Sequence, residues 1–129
     1  MLKSYKKKRE SIDNIKKDLE QFFSAFKIPD DMFHDIKLSV VELVSNIIKY
    51  TKDQDVFVLE LDMKDNTVKI SLKYIDKSFN RPQSKFKGEA MQESGLGVFL
   101  VSELMDRLDY FYNEKTFEVE VQIEKRITT

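Results

Sequence analysis

The 129-residue chain contains no cysteine. That absence removes disulfides, thiol nucleophiles and cysteine-based zinc sites together. Histidine is nearly absent too: the single His34 cannot build a histidine-rich metal centre and reads as an ordinary helix residue. No excess of one charge exists, since 22 Lys and Arg stand against 23 Asp and Glu for a formal net charge of -1. Surfaces built for nucleic acid neutralise phosphates with a clear surplus of cations, so no nucleic-acid partner is expected. No run approaches the ~20 consecutive apolar residues of a membrane helix, and Met1 is followed by charge rather than by the apolar core of a signal peptide. The expectation is a cytoplasmic protein with no membrane partner. Glycine is scarce, three in all, and two of the three fall at Gly95 and Gly97.

What is present suits a folded domain. Hydrophobic residues make up 41% of the chain and include ten Phe and five Tyr, enough large apolar area for a core of its own. One domain spanning 1–129 is expected. Charged residues are spread along the chain, with one basic cluster at Lys6, Lys7, Lys8 and Arg9. It reads first as a solvated segment and second as a contact for an anionic partner.

From about Glu10 to Phe26, apolar Ile12, Ile15, Leu19, Phe22, Phe23 and Phe26 recur at helical spacing. Lys27, Ile28 and Pro29 interrupt them. Asp30 and Asp31 then offer a helix start ahead of a periodic run from Phe33 to Ile48, ending near Tyr50. Val56 to Leu61 and Val68 to Leu72 alternate about a turn at Lys64, Asp65 and Asn66, which predicts an antiparallel hairpin. Residues 80–94 are polar and aperiodic, of the kind that forms a lid. Gly95 and Gly97 open a third helix carrying Val98, Leu100, Val101, Leu104, Met105 and Leu108, and a last hairpin turns at Asn113, Glu114 and Lys115. With a possible short first strand, this order packs as a two-layer α+β sandwich, helices on one face of an antiparallel or mixed sheet.

Two places could carry chemistry. Glu42 and Asn46 are four apart on the second helix, so both side chains can reach one bound ion or water. Projection puts Ile36, Val40, Leu43, Val44 and Ile47 on one side of that helix and Asp35, Ser39, Glu42, Asn46 and Lys49 on the other, which a plain solvent face explains as well. The second place is Glu93-Ser94-Gly95-Leu96-Gly97 before the apolar helix. Missing Cβ atoms let backbone amides approach an anion there, and a helix N-terminus adds favourable partial charge. An ordinary loop-to-helix turn is the alternative, and the motif is neither a Walker loop nor a dinucleotide fingerprint.

Order and pairing say more than either motif. Leu38 to Tyr50, LSVVELVSNIIKY, resembles the N-box helix of anti-sigma-factor serine kinases of the RsbW and SpoIIAB type, and Ser94 to Met105, SGLGVFLVSELM, resembles their second glycine box. The resemblance runs from the first helix to the last strand. It implies the histidine-kinase-like (Bergerat, GHKL) ATPase fold, with a mixed, mostly antiparallel sheet and a lid at about 80–94. It also implies ATP bound with Mg2+, then γ-phosphate transfer to Ser or Thr of a STAS-type antagonist, in a switch that also holds a sigma factor or related regulator. A homodimer is a further possibility. On this resemblance Glu42 matches the general base, Asn46 the magnesium ligand, Gly95, Leu96 and Gly97 the phosphate-contacting turn, and Thr116, at the start of the last strand, a threonine near the adenine. Lys85 and Lys87 read as solvated lid lysines first and phosphate contacts second.

One box departs from the pattern. Where such kinases carry approximately Asp-x-Gly-x-x-Phe, this chain has Tyr74-Ile75-Asp76-Lys77-Ser78-Phe79. Aligned on Phe79 and Asn80, Tyr74 takes the place of the aspartate that reads the adenine amino group, and Asp76 that of the glycine. A two-residue shift would instead bring Asp76 to the base. The rival readings are a binding module of the same fold with weak or no ATP binding, the catalytic domain of a two-component histidine kinase, which lacks its phospho-accepting helix here, and an unrelated α+β domain.

Overall fold

The computed structural model describes residues 1–80 and 93–128. In chain order these form β1 (Leu2–Lys6), α1 (Glu10–Phe23), α2 (Asp30–Tyr50), β2 (Val56–Lys64), β3 (Thr67–Ile75), α3 (Glu93–Leu104), β4 (Arg107–Asn113) and β5 (Glu118–Arg126). The strands lie in one sheet ordered β1-β2-β3-β5-β4, with every neighbouring pair antiparallel. The expected mixed character is absent for a topological reason. Strands β3 and β4 run the same way, as a helical crossover allows, but β5 folds back between them, so no parallel strands touch.

Alternation sets the layers. Phe57, Leu59 and Leu61 of β2, Val68, Ile70, Leu72 and Tyr74 of β3, and Val119, Val121 and Ile123 of β5 all point to one buried face. Against it pack Ile15, Leu19 and Phe23 of α1, Ile36, Val40, Leu43, Val44 and Ile47 of α2, and Val101 of α3. Each such side chain contributes about 1.5–3 kcal/mol on burial. The opposite face carries charge, with Lys69 3.6 Å from Glu124 across the β3–β5 ladder.

The β2–β3 hairpin turns on Asp65 and Asn66, whose φ values of 52° and 58° give a turn that follows the twist of the strands. Helix α2 starts where expected: Pro29 is extended, its carbonyl accepts the Phe33 amide at 3.0 Å, and Asp30 and Asp31 occupy the first turn. It stops at Thr51, which turns both its amide and its hydroxyl onto the Ile47 carbonyl, at 3.2 and 2.7 Å.

Three sequence expectations are corrected. Helix α1 ends at Phe23 rather than Phe26, whose ring is left 39% exposed. Helix α3 ends at Leu104 and does not include Leu108, which pairs with Ile123 in the sheet. Asp106 explains the early stop. Its amide donates to the Glu124 carbonyl at 2.9 Å and its carboxylate accepts the Arg126 amide at 2.6 Å, so β5 captures the chain immediately after the helix. Third, Thr116 lies in the β4–β5 turn and not at the start of β5, which begins at Glu118. Of the expected lid, 81–92 lie outside the described residues, Lys85 and Lys87 included, while Glu93 and Ser94 already belong to α3.

Candidate functional site

Helix α3 packs along α2, and the contact closes over Gly97. A Cβ at position 97 would stand 3.0 Å from Glu42 Oε2, 3.3 Å from Asn46 Nδ2 and 3.8 Å from Asn46 Oδ1. Any other residue would therefore push the ends of both polar side chains aside. The four-residue spacing of Glu42 and Asn46 puts them on one face of α2, as the sequence implies, and both are half-buried. They face a neighbouring helix, so the plain-solvent reading of this stripe does not hold.

Ser39 shows the same. It belongs to the stripe projected toward solvent, yet it is fully buried, and its hydroxyl has no hydrogen-bond partner among the described residues. The sequence called it polar surface because serine on a helix usually is.

Gly95, Leu96 and Gly97 sit inside α3, which begins at Glu93, rather than in a turn ahead of it. Gly97 is buried and Leu96 is 54% exposed. The first-turn amides of any helix lack an intrahelical acceptor and carry the positive end of its dipole. They stand here at the same end of α3 that meets Glu42 and Asn46. The other end of the helix is fastened by Lys125 of β5, whose ammonium donates to the Leu104 carbonyl at 2.6 Å and lies 3.8 Å from the Asp35 carboxylate.

The remaining candidates gather where β3 leaves the sheet. The Asp76 amide donates to the Phe117 carbonyl at 2.9 Å, joining the end of β3 to the β4–β5 turn. Phe117 makes this contact from a left-handed backbone, φ 64°, unusual for so bulky a residue. Thr116 beside it is exposed, and its hydroxyl accepts the Glu118 amide at 3.4 Å. The Asp76 carboxylate accepts the Ser78 amide at 3.0 Å, closing a tight turn. Tyr74, two residues earlier on the helix-covered face of β3, is only 8% exposed. Burial raises its hydroxyl beyond the ordinary tyrosine range, with Tyr110 and then Asp76 adding to the shift. Burial alone does the same to Tyr110. The Phe79 ring lies tilted against two tyrosines of β4, its centroid 5.0 Å from Tyr112 and 5.9 Å from Tyr110.

Lys6, Lys8 and Arg9 of the basic cluster are exposed, as a solvated segment requires, but Lys7 departs from that reading. It lies just past the end of β1, where its amide donates to the Asp55 carbonyl at 2.6 Å, and its ammonium nitrogen is buried with no hydrogen-bond partner among the described residues. Burial lowers its pKa, against the opposing pull of Asp53, Asp76 and Asp55. Alternation gives no signal for this burial, because Lys3, two residues before Tyr5, is exposed. Tyr110 could have been found from its alternating place between Leu108 and Tyr112. Among the described residues no group of three His, Cys, Asp or Glu side chains could hold a metal unaided, and no helix is long and apolar enough to cross a membrane.

The family profile of the histidine kinase-like ATPase domain matches residues 6–123, from the end of β1 into β5. The chain belongs to that family. Among solved structures, this ATPase domain is similar to the RsbU and RsbW domains of Rv1364c from Mycobacterium tuberculosis, with a TM-score of 0.68 and 12% identity. All of this chain and 33% of that one are covered, so the domain spans about a third of the other chain's length. At that identity the likeness concerns the fold. No functionally curated protein matches the sequence.

Proposed function

We propose that this histidine kinase-like ATPase domain is a protein serine/threonine kinase of the anti-sigma-factor type. It binds Mg2+ and ATP, transfers the γ-phosphoryl group to a Ser or Thr hydroxyl of a STAS-type antagonist, and through that switch holds or releases a sigma factor or related regulator. The observation that carries the reading is the meeting of Gly97 with Glu42 and Asn46, a cradle that a single methyl group would fill. The family match and the likeness to an RsbU and RsbW fragment support it.

The donor set fits the implied groups. The Asn46 side-chain oxygen is a hard ligand suited to a magnesium ion that keeps water and phosphate oxygens as its other partners. A bound metal supplies neutralisation of the phosphate charge. Of Gly95, Leu96 and Gly97, Gly95 alone lies among the first-turn amides of α3 that lack an intrahelical acceptor, and its missing Cβ lets a phosphate oxygen approach it. Asp76, whose amide is bonded to Phe117, and Thr116 beside Phe117 in the β4–β5 turn are the residues this reading assigns to the adenine. Glu42 accepts the proton of the partner's hydroxyl as that oxygen forms its bond to phosphorus and the bond to the leaving ADP breaks.

The test has two stages. Millimolar Mg-ATP should raise the melting temperature, since a ligand at 100 times its Kd stabilises by about 2.7 kcal/mol. Asn46→Ala should abolish that shift. A STAS-type protein should then be phosphorylated, at least ~100-fold more slowly by Glu42→Gln than by the parent. Transfer at the parent's rate by Glu42→Gln would remove the base assignment.

Tyr74 favours a second reading. Its buried ring stands in the place of the aspartate, and the glycine of that box is missing. A protein-binding module with the same fold and no nucleotide would look like this at its base end. Absence of any thermal shift at millimolar Mg-ATP decides for it.

A further inference from the structure

The chain turns sharply after β3, and each of the first three amides there is taken by a different acceptor. The Asp76 amide continues the ladder onto the Phe117 carbonyl at 2.9 Å. The Ser78 amide goes to the Asp76 carboxylate at 3.0 Å, within the turn itself. Between them the Lys77 amide donates to Asp53 Oδ2 at 2.7 Å, across 24 residues of sequence. Of the three bonds, only this one reaches beyond the sheet and the turn.

Asp53 belongs to the connection 51–55 between α2 and β2, and both ends of that connection are held. Thr51 turns its amide and hydroxyl onto the Ile47 carbonyl of α2, and the Asp55 carbonyl accepts the Lys7 amide at 2.6 Å. A carboxylate between two such anchors is presented from a fixed place. Its ionised oxygen also makes a stronger bond to an amide than a neutral acceptor does. The Lys7 ammonium is within electrostatic reach of Asp53 but makes no hydrogen bond among the described residues, so the latch is the bond from the Lys77 amide.

This bond joins the two ends of the candidate site. Helix α2 carries Glu42 and Asn46, and the turn after β3 carries Asp76. Lys77 also reaches the β4–β5 turn, its ammonium standing 5.9 Å from the Phe117 ring centroid. A turn left loose would be ordered only when a ligand binds, and each residue fixed at that moment lowers affinity. A turn latched beforehand avoids the loss.

Resting on the nucleotide-binding reading above, we propose that Asp53 is a positioning residue of the nucleotide site, whose carboxylate latches the turn after β3 to the C-terminal end of α2 and so holds the two ends at a fixed spacing before the nucleotide arrives. Asp53 touches no substrate and acts through the backbone of Lys77.

Calorimetric titration of the full chain with Mg-ATP is the test. Asp53 is exposed, so its replacement leaves the core intact. Asp53→Ala should raise the Kd about tenfold. Asp53→Asn keeps an oxygen that accepts the Lys77 amide, and should restore binding to within about threefold of the parent. Asp55→Asn removes the same charge two residues on, and should bind as the parent does. Binding by Asp53→Ala within about threefold of the parent, no rescue by Asp53→Asn, or an Asp55→Asn as weak as Asp53→Ala each overturns this inference and leaves the kinase reading intact. Absence of Mg-ATP binding by the parent overturns both.

Discussion

Gly97 of α3 and Glu42 of α2 are so close that a methyl group on the glycine would stand 3.0 Å from the carboxylate oxygen Oε2. The obstructing atom is the tip of a flexible side chain, so an alanine displaces Glu42 rather than the helix. Alanine also favours a helix interior over glycine by about 1 kcal/mol. Gly97→Ala is therefore expected to leave stability unchanged or raise it by up to ~1 kcal/mol, while weakening Mg-ATP binding by tenfold or more, ~1.4 kcal/mol. Denaturant melts and calorimetric titration of the same variant separate the two effects. Loss of stability with unaltered binding would contradict the packing described.

Ser39→Ala should stabilise the fold. The hydroxyl is fully buried without a partner among the described residues, a burden of about 1 kcal/mol, and alanine is the better helix former. Urea unfolding should place the variant above the parent by roughly that amount. A destabilised variant would mean that the hydroxyl has a partner such as a fixed water.

Alkaline pH should weaken the domain. Burial raises the pKa of Tyr5, Tyr74 and Tyr110, and at Tyr5 the hydrogen bond to Asp18 adds to it. In the unfolded chain these phenols ionise near ~10. Above that pH the unfolded state binds fewer protons than the folded one, so stability is fully present below about pH 10 and falls as pH rises past it. Tyr74→Phe should flatten part of that fall. Urea midpoints measured through this range, parent beside variant, decide the matter; a parallel decline in both would sink the assignment to Tyr74.

At acid pH the sign reverses through Asp18. Burial opposes its ionisation, but hydrogen bonds from Tyr5 and from Lys3, the latter at 2.9 Å, outweigh it and hold the pKa below the usual carboxylate range. Its contribution is present above about pH 4, the unfolded value, and is lost as pH falls through the folded one. Asp18→Asn should therefore show a shallower acid-unfolding curve than the parent. Identical curves would indicate that β1 and α1 are not coupled through this carboxylate.

Lys7→Met should raise the melting temperature by a few degrees. The ammonium is buried, and its lowered pKa means that the three nearby aspartates do not fully offset the loss of water. A lower melting temperature would mean that Lys7 is a required counter-ion for them.

Much of this architecture was legible because it rests on periodicity. Alternation fixed β2 and β3, and the apolar spacing after Asp30 and Asp31, running out near Tyr50, fixed α2 to its ends. The errors fall where tertiary contacts override local pattern. Leu108 continues the helical rhythm of α3, yet pairing with Ile123 takes it into the sheet. Ser39 and Lys7 carry polar labels that only tertiary packing cancels. Glu42 and Asn46 were found because four residues make one turn, but the closeness of Gly97, fifty residues on, is a relation no local spacing contains.

The Lys125 clamp on the final carbonyl of α3 has a mechanical consequence. A rod of twelve residues, about 18 Å long, is pinned where it meets Leu104 and Asp35, while glycine lightens its opposite tip. One ammonium of β5 thereby serves two helices at once, so neutralising Lys125 would strip α3 of its C-terminal cap and α2 of a partner for Asp35 in a single step.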